Sequence, residues 1–385
     1  MARVLLLFLA LGTTAAAQDP NAVSPKDIER AIRKGTDFLK AAPFTPDRAH
    51  PCANDLILLT LIHAEVPENN PVLQQYLKNC LEAPLAKTYN VALLAMCLEA
   101  LDPTGYQQKL AQCAQFLVDN QASNGQWSYG SPTDVKKYPF EGKKEEKKVA
   151  TGKVDGARDF GGGGLTVKKK PTNVILITQQ KQTGAAGDNS NSQYASLGLR
   201  ACYDANITIP LEVCHLAKKW WIESQSPDES GSKLGKDAVG TGNGVTPKIQ
   251  GWNYTHAEGE GAKGPYHAMT AGAVGAVVIY DYILGKDFKK DQVAVAGCNW
   301  LGKHFAVNGN LYYMYGLERA GMLYGTEKFG DHDWYLEGAK SIVRSQKDDG
   351  SWGTNANEEK NTVSTCFAIL FLKKATRAIA TGDRK

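Results

Sequence analysis

"SQKDDGSWGTN", residues 345–355, decides how this chain is read. It follows "WYLEGAKSIVR" (334–344), a segment with one apolar stripe and one charged face, and it leads to a lone tryptophan. Gln346, Gly350 and Trp352 are separated by three positions and then one. The same spacing recurs at Gln121, Gly125 and Trp127 in "QFLVDNQASNGQW" (115–127). A third copy is stretched: "KKWWIESQ" ends at Gln225, and "GWNY" resumes at Gly251 with Trp252. "KGTDFL" (34–39) keeps only the opening of the pattern. A glycine here permits a left-handed backbone at a helix stop, and a tryptophan adds a large apolar cover to the turn. Asp348 and Asp349 read as ordinary turn residues.

After each copy comes a segment of another kind. "SQYASLGLRAC" (192–202), "AMTAGAVGAVVIY" (268–280) and "STCFAILFLKKA" (364–375) are apolar almost all round, as is "NVALLAMCLEAL" (90–101). A helix apolar on every side is buried on every side, and one with a single apolar stripe keeps a face in water. The alternation predicts six outer helices near 24–40, 70–82, 106–121, 211–225, 289–305 and 334–346. Six inner helices are predicted near 52–64, 88–101, 191–203, 266–282, 311–323 and 361–374. "NVILITQQ" (173–180) is the one strand candidate. Alternating helices of these two kinds close naturally into an inner and an outer ring.

The Gln-x-x-x-Gly-x-Trp spacing resembles the QW repeat of the squalene cyclase and protein prenyltransferase superfamily. The resemblance covers most of the chain through the six helix pairs. It implies an all-α fold, the α/α toroid, in which the glutamine caps one helix end or bonds the start of the next. It carries no particular activity with it. The Asp-x-Asp-Asp acid of the cyclases is absent, as are the Asp-x-Cys zinc ligands of the prenyltransferases and the Cys-Gly-Glu-Gln thioester motif.

The chain begins with Arg3, the apolar run "VLLLFLALG" and an Ala-x-Ala site ending at Ala17, the pattern of a secretory signal over residues 1–17. Residues 18–385 then form one domain, exported to a periplasm or secreted. No later run is long and apolar enough to suggest a membrane span. A formal charge of +4 over 385 residues argues against nucleic acid as the main partner. Among eight cysteines, Cys97, Cys113, Cys298 and Cys366 sit in apolar helical runs and read as free thiols. Cys52 with Cys80, and Cys202 with Cys214, flank predicted turns and are candidate disulfides. No Cys-x-x-Cys occurs, and neither a metal site nor a cofactor is expected. "GDHDWY" (330–335) reads as a helix start capped by Asp333.

Two insertions, at about 128–188 and 226–265, interrupt the helices at the same edge, between an outer helix and the next inner one. They suit lids over a mouth. Inner-helix N-termini meet at that edge and offer free amides and partial positive charge. The residues there are polar and aromatic. Asn191, Tyr266, His267, Tyr312 and Tyr313 are the candidate wall of a ligand pocket, with Arg319 deeper in the fifth inner helix beside Glu318. Asn189, Asn361 and Thr362 also suit helix caps. Such a wall fits a small molecule, a glycan or a peptide. The alternative is an exported enzyme, such as a polysaccharide lyase. There His267 or Tyr312 would move the proton, and Asn191 or Arg319 would neutralise a uronate. A divergent terpenoid cyclase is a further alternative.

Overall fold

The computed structural model describes residues 23–44, 53–135, 138, 140, 142–144, 170–230, 247–255, 264–353 and 358–379. The signal reading of residues 1–17 lies outside them. Among the described residues twelve α-helices alternate between two kinds. The odd-numbered ones are α1 (Pro25–Ala41), α3 (Pro71–Glu82), α5 (Gln107–Asp119), α7 (Leu211–Glu223), α9 (Gln292–Lys303) and α11 (Trp334–Arg344). The even-numbered ones are α2 (Ala53–His63), α4 (Thr88–Leu101), α6 (Asn189–Asp204), α8 (His267–Ile283), α10 (Leu311–Tyr324) and α12 (Glu358–Leu372).

Local chemistry sets these ends. Ser24 and Asp27 form a capping box at α1, with Pro25 where a missing N–H costs nothing. Asp291 accepts from the Val293 and Ala294 amides at α9, and Asp333 accepts from Leu336 at α11. Every described residue of α8 except His267 and Tyr282 is buried, whereas α1 buries only Ala31, Gly35, Thr36 and Leu39. The even-numbered helices pack in order, α2 on α4, α4 on α6, α6 on α8, α8 on α10, α10 on α12, and α12 back on α2. The odd-numbered helices lie against them, α5 between α4 and α6, α7 and α9 on α8, and α1 on α11 and α12.

The three glutamine–tryptophan copies have one geometry. Gln121, Gln225 and Gln346 each donate to a carbonyl of their own turn or its neighbouring leg, at Gly125, Gln250 and Gly350. Each also donates across to another odd-numbered helix, at Val213 of α7 (2.9 Å), Val293 of α9 (3.0 Å) and Ala31 of α1 (2.8 Å). The indoles of Trp127, Trp252 and Trp352 are fully buried. Their N–H groups donate to the carbonyls of Leu117, Trp221 and Ile342 at 2.7–2.8 Å. Their backbone amides donate to Ser192, Thr270 and Thr365 on the following even-numbered helix. Gly125 and Gly350 have φ of +94° and +87°. A Cβ on either would lie 2.3 or 2.5 Å from a backbone oxygen, of Leu216 or Lys34. Glycine therefore satisfies both the turn and the close approach.

The return leg of the first insertion, residues 170–188, runs along α5 rather than over a mouth. Gln107 donates to Asn173, Gln115 to Thr178, and the Thr183 amide to the Gln121 carbonyl. Asn173–Leu176 is a strand, as expected in part for 173–180. It pairs antiparallel with Gly142–Lys144 and parallel with Ile207–Thr208. Lys328–Phe329 and His332–Asp333 form a further short ladder. These pieces are too short to show a period-two pattern. The described legs of the second insertion are tied together by Asp228 and Ile249 and by Ser226 and Gly251.

Among the described residues seven cysteines form no disulfide and are buried, Cys97, Cys113, Cys298 and Cys366 among them. Cys202 and Cys214 are also free, which corrects the pairing drawn from their shared turn. The Cys202 thiol instead donates to the Leu110 carbonyl of α5. Cys80 is free, and Cys52 lies outside the described residues. Among the described residues no helix is long and apolar enough to cross a membrane.

Candidate functional site

The end where the even-numbered helices begin carries a polar and aromatic cluster. Tyr89 of α4, Ser190 of α6 and Tyr312 of α10 bring three hydroxyls together. Tyr89 bonds Ser190, and Tyr312 lies 3.3 Å from the Tyr89 oxygen and 3.2 Å from Ser190. Gln193 of α6 donates to the Tyr312 hydroxyl at 2.8 Å, and its carbonyl accepts from Arg319 Nη2 at 3.0 Å. The Arg319 guanidinium lies against the rings of Tyr194 and Tyr315, 5.0 and 4.3 Å from their centroids. Tyr194 also lies 4.3 Å from the Tyr89 ring, and Phe367 of α12 packs on Tyr312 and Tyr315. Gly272 of α8 makes room, since a Cβ there would meet the Gln193 carbonyl oxygen at 2.1 Å.

Around this cluster stand three solvent-facing tyrosines. Tyr129, Tyr254 and Tyr266 are 59%, 44% and 37% exposed, among the few large apolar side chains so exposed in the described residues. Tyr129 and Tyr254 occupy the same repeat position, two residues past Trp127 and Trp252. Their carbonyls accept from the first amides of two neighbouring even-numbered helices, Thr88 of α4 and Asn189 of α6. Burial, the Asp188 carboxylate and Tyr129 push the Tyr254 phenol up to about 12. Burial, then Asp188, also raises Tyr266. Burial raises Tyr312, although hydrogen bonds from Ser190 and Tyr89 oppose it. Phenols held protonated in this way offer hydroxyl contacts and aromatic faces, and they are poor bases near neutrality.

The residues singled out in the sequence fall in several places. Tyr312 and Arg319 belong to the central cluster. Tyr266 stands at its edge. His267 and Tyr313 form a separate group with Trp300 and His304: the His267 ring is 5.1 Å from Tyr313 and 5.4 Å from Trp300, and Nε2 lies 2.6 Å from the His304 carbonyl. Glu229 fastens this group to the second insertion through Trp300 (3.1 Å), Lys303 (3.3 Å) and His304 (2.8 Å). Burial pushes Glu229 up, but those bonds outweigh it and hold the carboxyl below its usual range. Asn191 is not part of a wall. It is buried, and its amides donate to both oxygens of Asp188, the residue that caps α6 in place of Asn189. Asn189 instead accepts from Trp220 and Gln126. Glu318, the residue before Arg319, accepts from the Thr376 amide and hydroxyl at 2.9 and 2.8 Å.

Tyr129, Tyr254, Ser190 and Tyr194 were not singled out from the sequence. The Trp-x-Tyr of "QWSY" and "GWNY" was the available signal for the first two. A groove of about 470 Å³ lies elsewhere, between α1 and the α2–α3 turn, lined by Ile28, Ile32, Val66 and Tyr335. Among the described residues no group of three or more His, Cys, Asp or Glu is arranged to hold a metal ion. Comparison with known proteins finds no family model and no curated protein that matches this sequence.

Proposed function

We propose that this chain is an exported α/α toroid that binds a glycan at the end where its inner helices begin. The cyclic packing of the even-numbered helices, with the odd-numbered ones laid against them, supports the toroid. One observation carries the binding reading: three exposed tyrosines stand around a half-buried cluster of hydroxyl and amide groups contributed by α4, α6 and α10. Sugars present apolar ring faces and hydroxyl edges, so aromatic faces beside hydroxyl and amide partners match both. The lyase alternative asks for His267 or Tyr312 as the proton carrier beside Asn191 or Arg319. Asn191 is taken up by Asp188, and burial raises the Tyr312 phenol, which makes it a poor base. Here His267 packs on Tyr313, whereas Tyr312 turns towards Tyr89 and Gln193.

Tyr129→Ala and Tyr254→Ala test the reading, with binding to immobilised and soluble oligosaccharides measured by calorimetry. Each lost stacking face is expected to weaken binding by about tenfold, equivalent to about 1.4 kcal/mol. Because both side chains are exposed, the melting temperature should stay near that of the parent. Unchanged affinity in both variants and in Tyr312→Phe would overturn the assignment of this end.

A further inference from the structure

Arg319 is 2% exposed, on a helix whose neighbours are apolar. Burying a charge costs several kcal/mol unless a partner compensates it. Its partners here are neutral: the Gln193 carbonyl and the rings and hydroxyls of Tyr194 and Tyr315, with no acceptor at Nη1. Among the described residues no carboxylate lies in ion-pair range of it. Other buried cations of this protein are treated differently. Lys218 is held by Asp281 and Asp291, and Arg200 by Asp204. Glu318 is the next residue along α10, but both its oxygens are engaged by Thr376. Burial also pushes Glu318 up to about 7, so its counter-charge is incomplete near neutrality.

The connection to the surface is short. Gln193 bonds Arg319 through its carbonyl and Tyr312 through its amide, and Tyr312 is half-buried. Gly316, one turn from Arg319 on α10, leaves only ordinary contacts for a Cβ, the nearest at 3.5 Å. The cation thus sits one side chain behind the hydroxyl cluster, enclosed by Gln193, Tyr194 and Tyr315.

We propose that the ligand taken at this mouth carries a carboxylate, as a uronate sugar does, and that Arg319 receives it, with Nη1 and Nη2 donating to its two oxygens. This rests on the glycan reading above and narrows it to acidic sugars. On binding, the carboxylate replaces the Gln193 carbonyl at Nη2 and gives Nη1 an acceptor. Charge-assisted bidentate contacts of this kind are about twice as strong as neutral ones. Gln193 then acts as the placeholder that satisfies part of the guanidinium in the empty protein. Gly272 is what lets the placeholder reach it.

The test compares trigalacturonate with its carboxyl-reduced counterpart, a neutral trisaccharide of the same linkage, by calorimetry on the parent and on Arg319→Gln. The parent is expected to bind the acid about tenfold or more tightly than the neutral sugar. Arg319→Gln is expected to lose that preference, binding the acid no more tightly than the neutral sugar. Equal affinity of the parent for both sugars would overturn the acidic-ligand proposal and leave the glycan reading standing. A preference that survives in Arg319→Gln would overturn the role of Arg319. Failure of both sugars to bind the parent would overturn both readings. The parent comparison alone decides the first point, so the test holds even where the variant folds poorly.

Discussion

Gly35 and Trp352 offer a sharp test of the packing between the first helix and the last repeat. A Cβ built on Gly35 would sit 2.6 Å from Trp352 Cζ3 and 3.0 Å from Ile369 Cδ1. The first contact is with a rigid indole locked by its bond to the Ile342 carbonyl. Gly35→Ala alone should therefore cost about 1–3 kcal/mol from overpacking, offset by about 1 kcal/mol of helix propensity. Trp352→Phe removes Cζ3 and the indole N–H. The Ile342 carbonyl keeps the Ser345 amide and hydroxyl as donors, so the lost bond costs about 1 kcal/mol, and the cavity adds roughly as much again. The two changes should compensate one another, because the shorter ring leaves space for the new methyl group. Urea unfolding of the parent, both single variants and the double variant gives the coupling. A favourable coupling of about 1 kcal/mol or more is expected. Additivity within about 0.5 kcal/mol would refute the contact.

Lys218 is buried between Asp281 and Asp291, and Lys218→Met should cost about 3–5 kcal/mol by stranding two carboxylates, with Asp281→Asn in the same chain recovering part of the loss in chemical denaturation. Burial pushes Asp55 up to about 7 against 3.8 in the unfolded chain, while bonds from Asn90 and Cys80 oppose it. The folded protein thus holds this proton more tightly, so the associated stability is complete below about pH 4 and is lost as pH rises through 7. Asp55→Asn should accordingly gain on the parent from pH 4 to pH 8, and a constant difference in unfolding free energy across that range would contradict the assignment. Gly350→Ala should cost about 2 kcal/mol or more, since it adds a backbone clash to a positive φ, whereas Gly309→Ala, with φ of +71° and open space, should cost about 1 kcal/mol. Melting temperatures of the two alanine variants check the order.

Helix positions were legible because each kind of helix has its own pattern. The predicted span 266–282 is found as His267–Ile283, and 334–346 as Trp334–Arg344. What a side chain reaches across the structure was not legible. Nothing near Gln346 in sequence points to Ala31 as its partner. Tyr312 and Tyr313 were placed in one wall, yet adjacent helical positions point about 100° apart. One therefore faces Tyr89 and the other His267. The same limit explains Cys202 and Cys214, which flank one turn, yet the Cys202 thiol reaches the Leu110 carbonyl of α5. The repeat pattern ends at its tryptophan, so nothing in its spacing marks Tyr129 and Tyr254 two positions later. Residues 375–379 carry no periodic pattern. Even so, Thr376 bonds Glu318, and Arg377 pairs with Glu99 of α4 and Asp204 of α6.

The packing of α12 on α2, and the hold of Gln346 on Ala31, join parts of the chain that are synthesised far apart in time. That bond spans 315 residues, and the Lys373–Glu65 pair spans 308. On a ribosome, α1 and α2 emerge long before the helices that complete their surroundings. Seven apolar residues of α2 are buried in the finished protein, and until α12 arrives part of that surface has no neighbour. Contacts of such separation slow folding, and unfinished apolar faces invite association between nascent chains. This protein should therefore depend on chaperone protection during synthesis, and its final step should be the meeting of its earliest and latest helices.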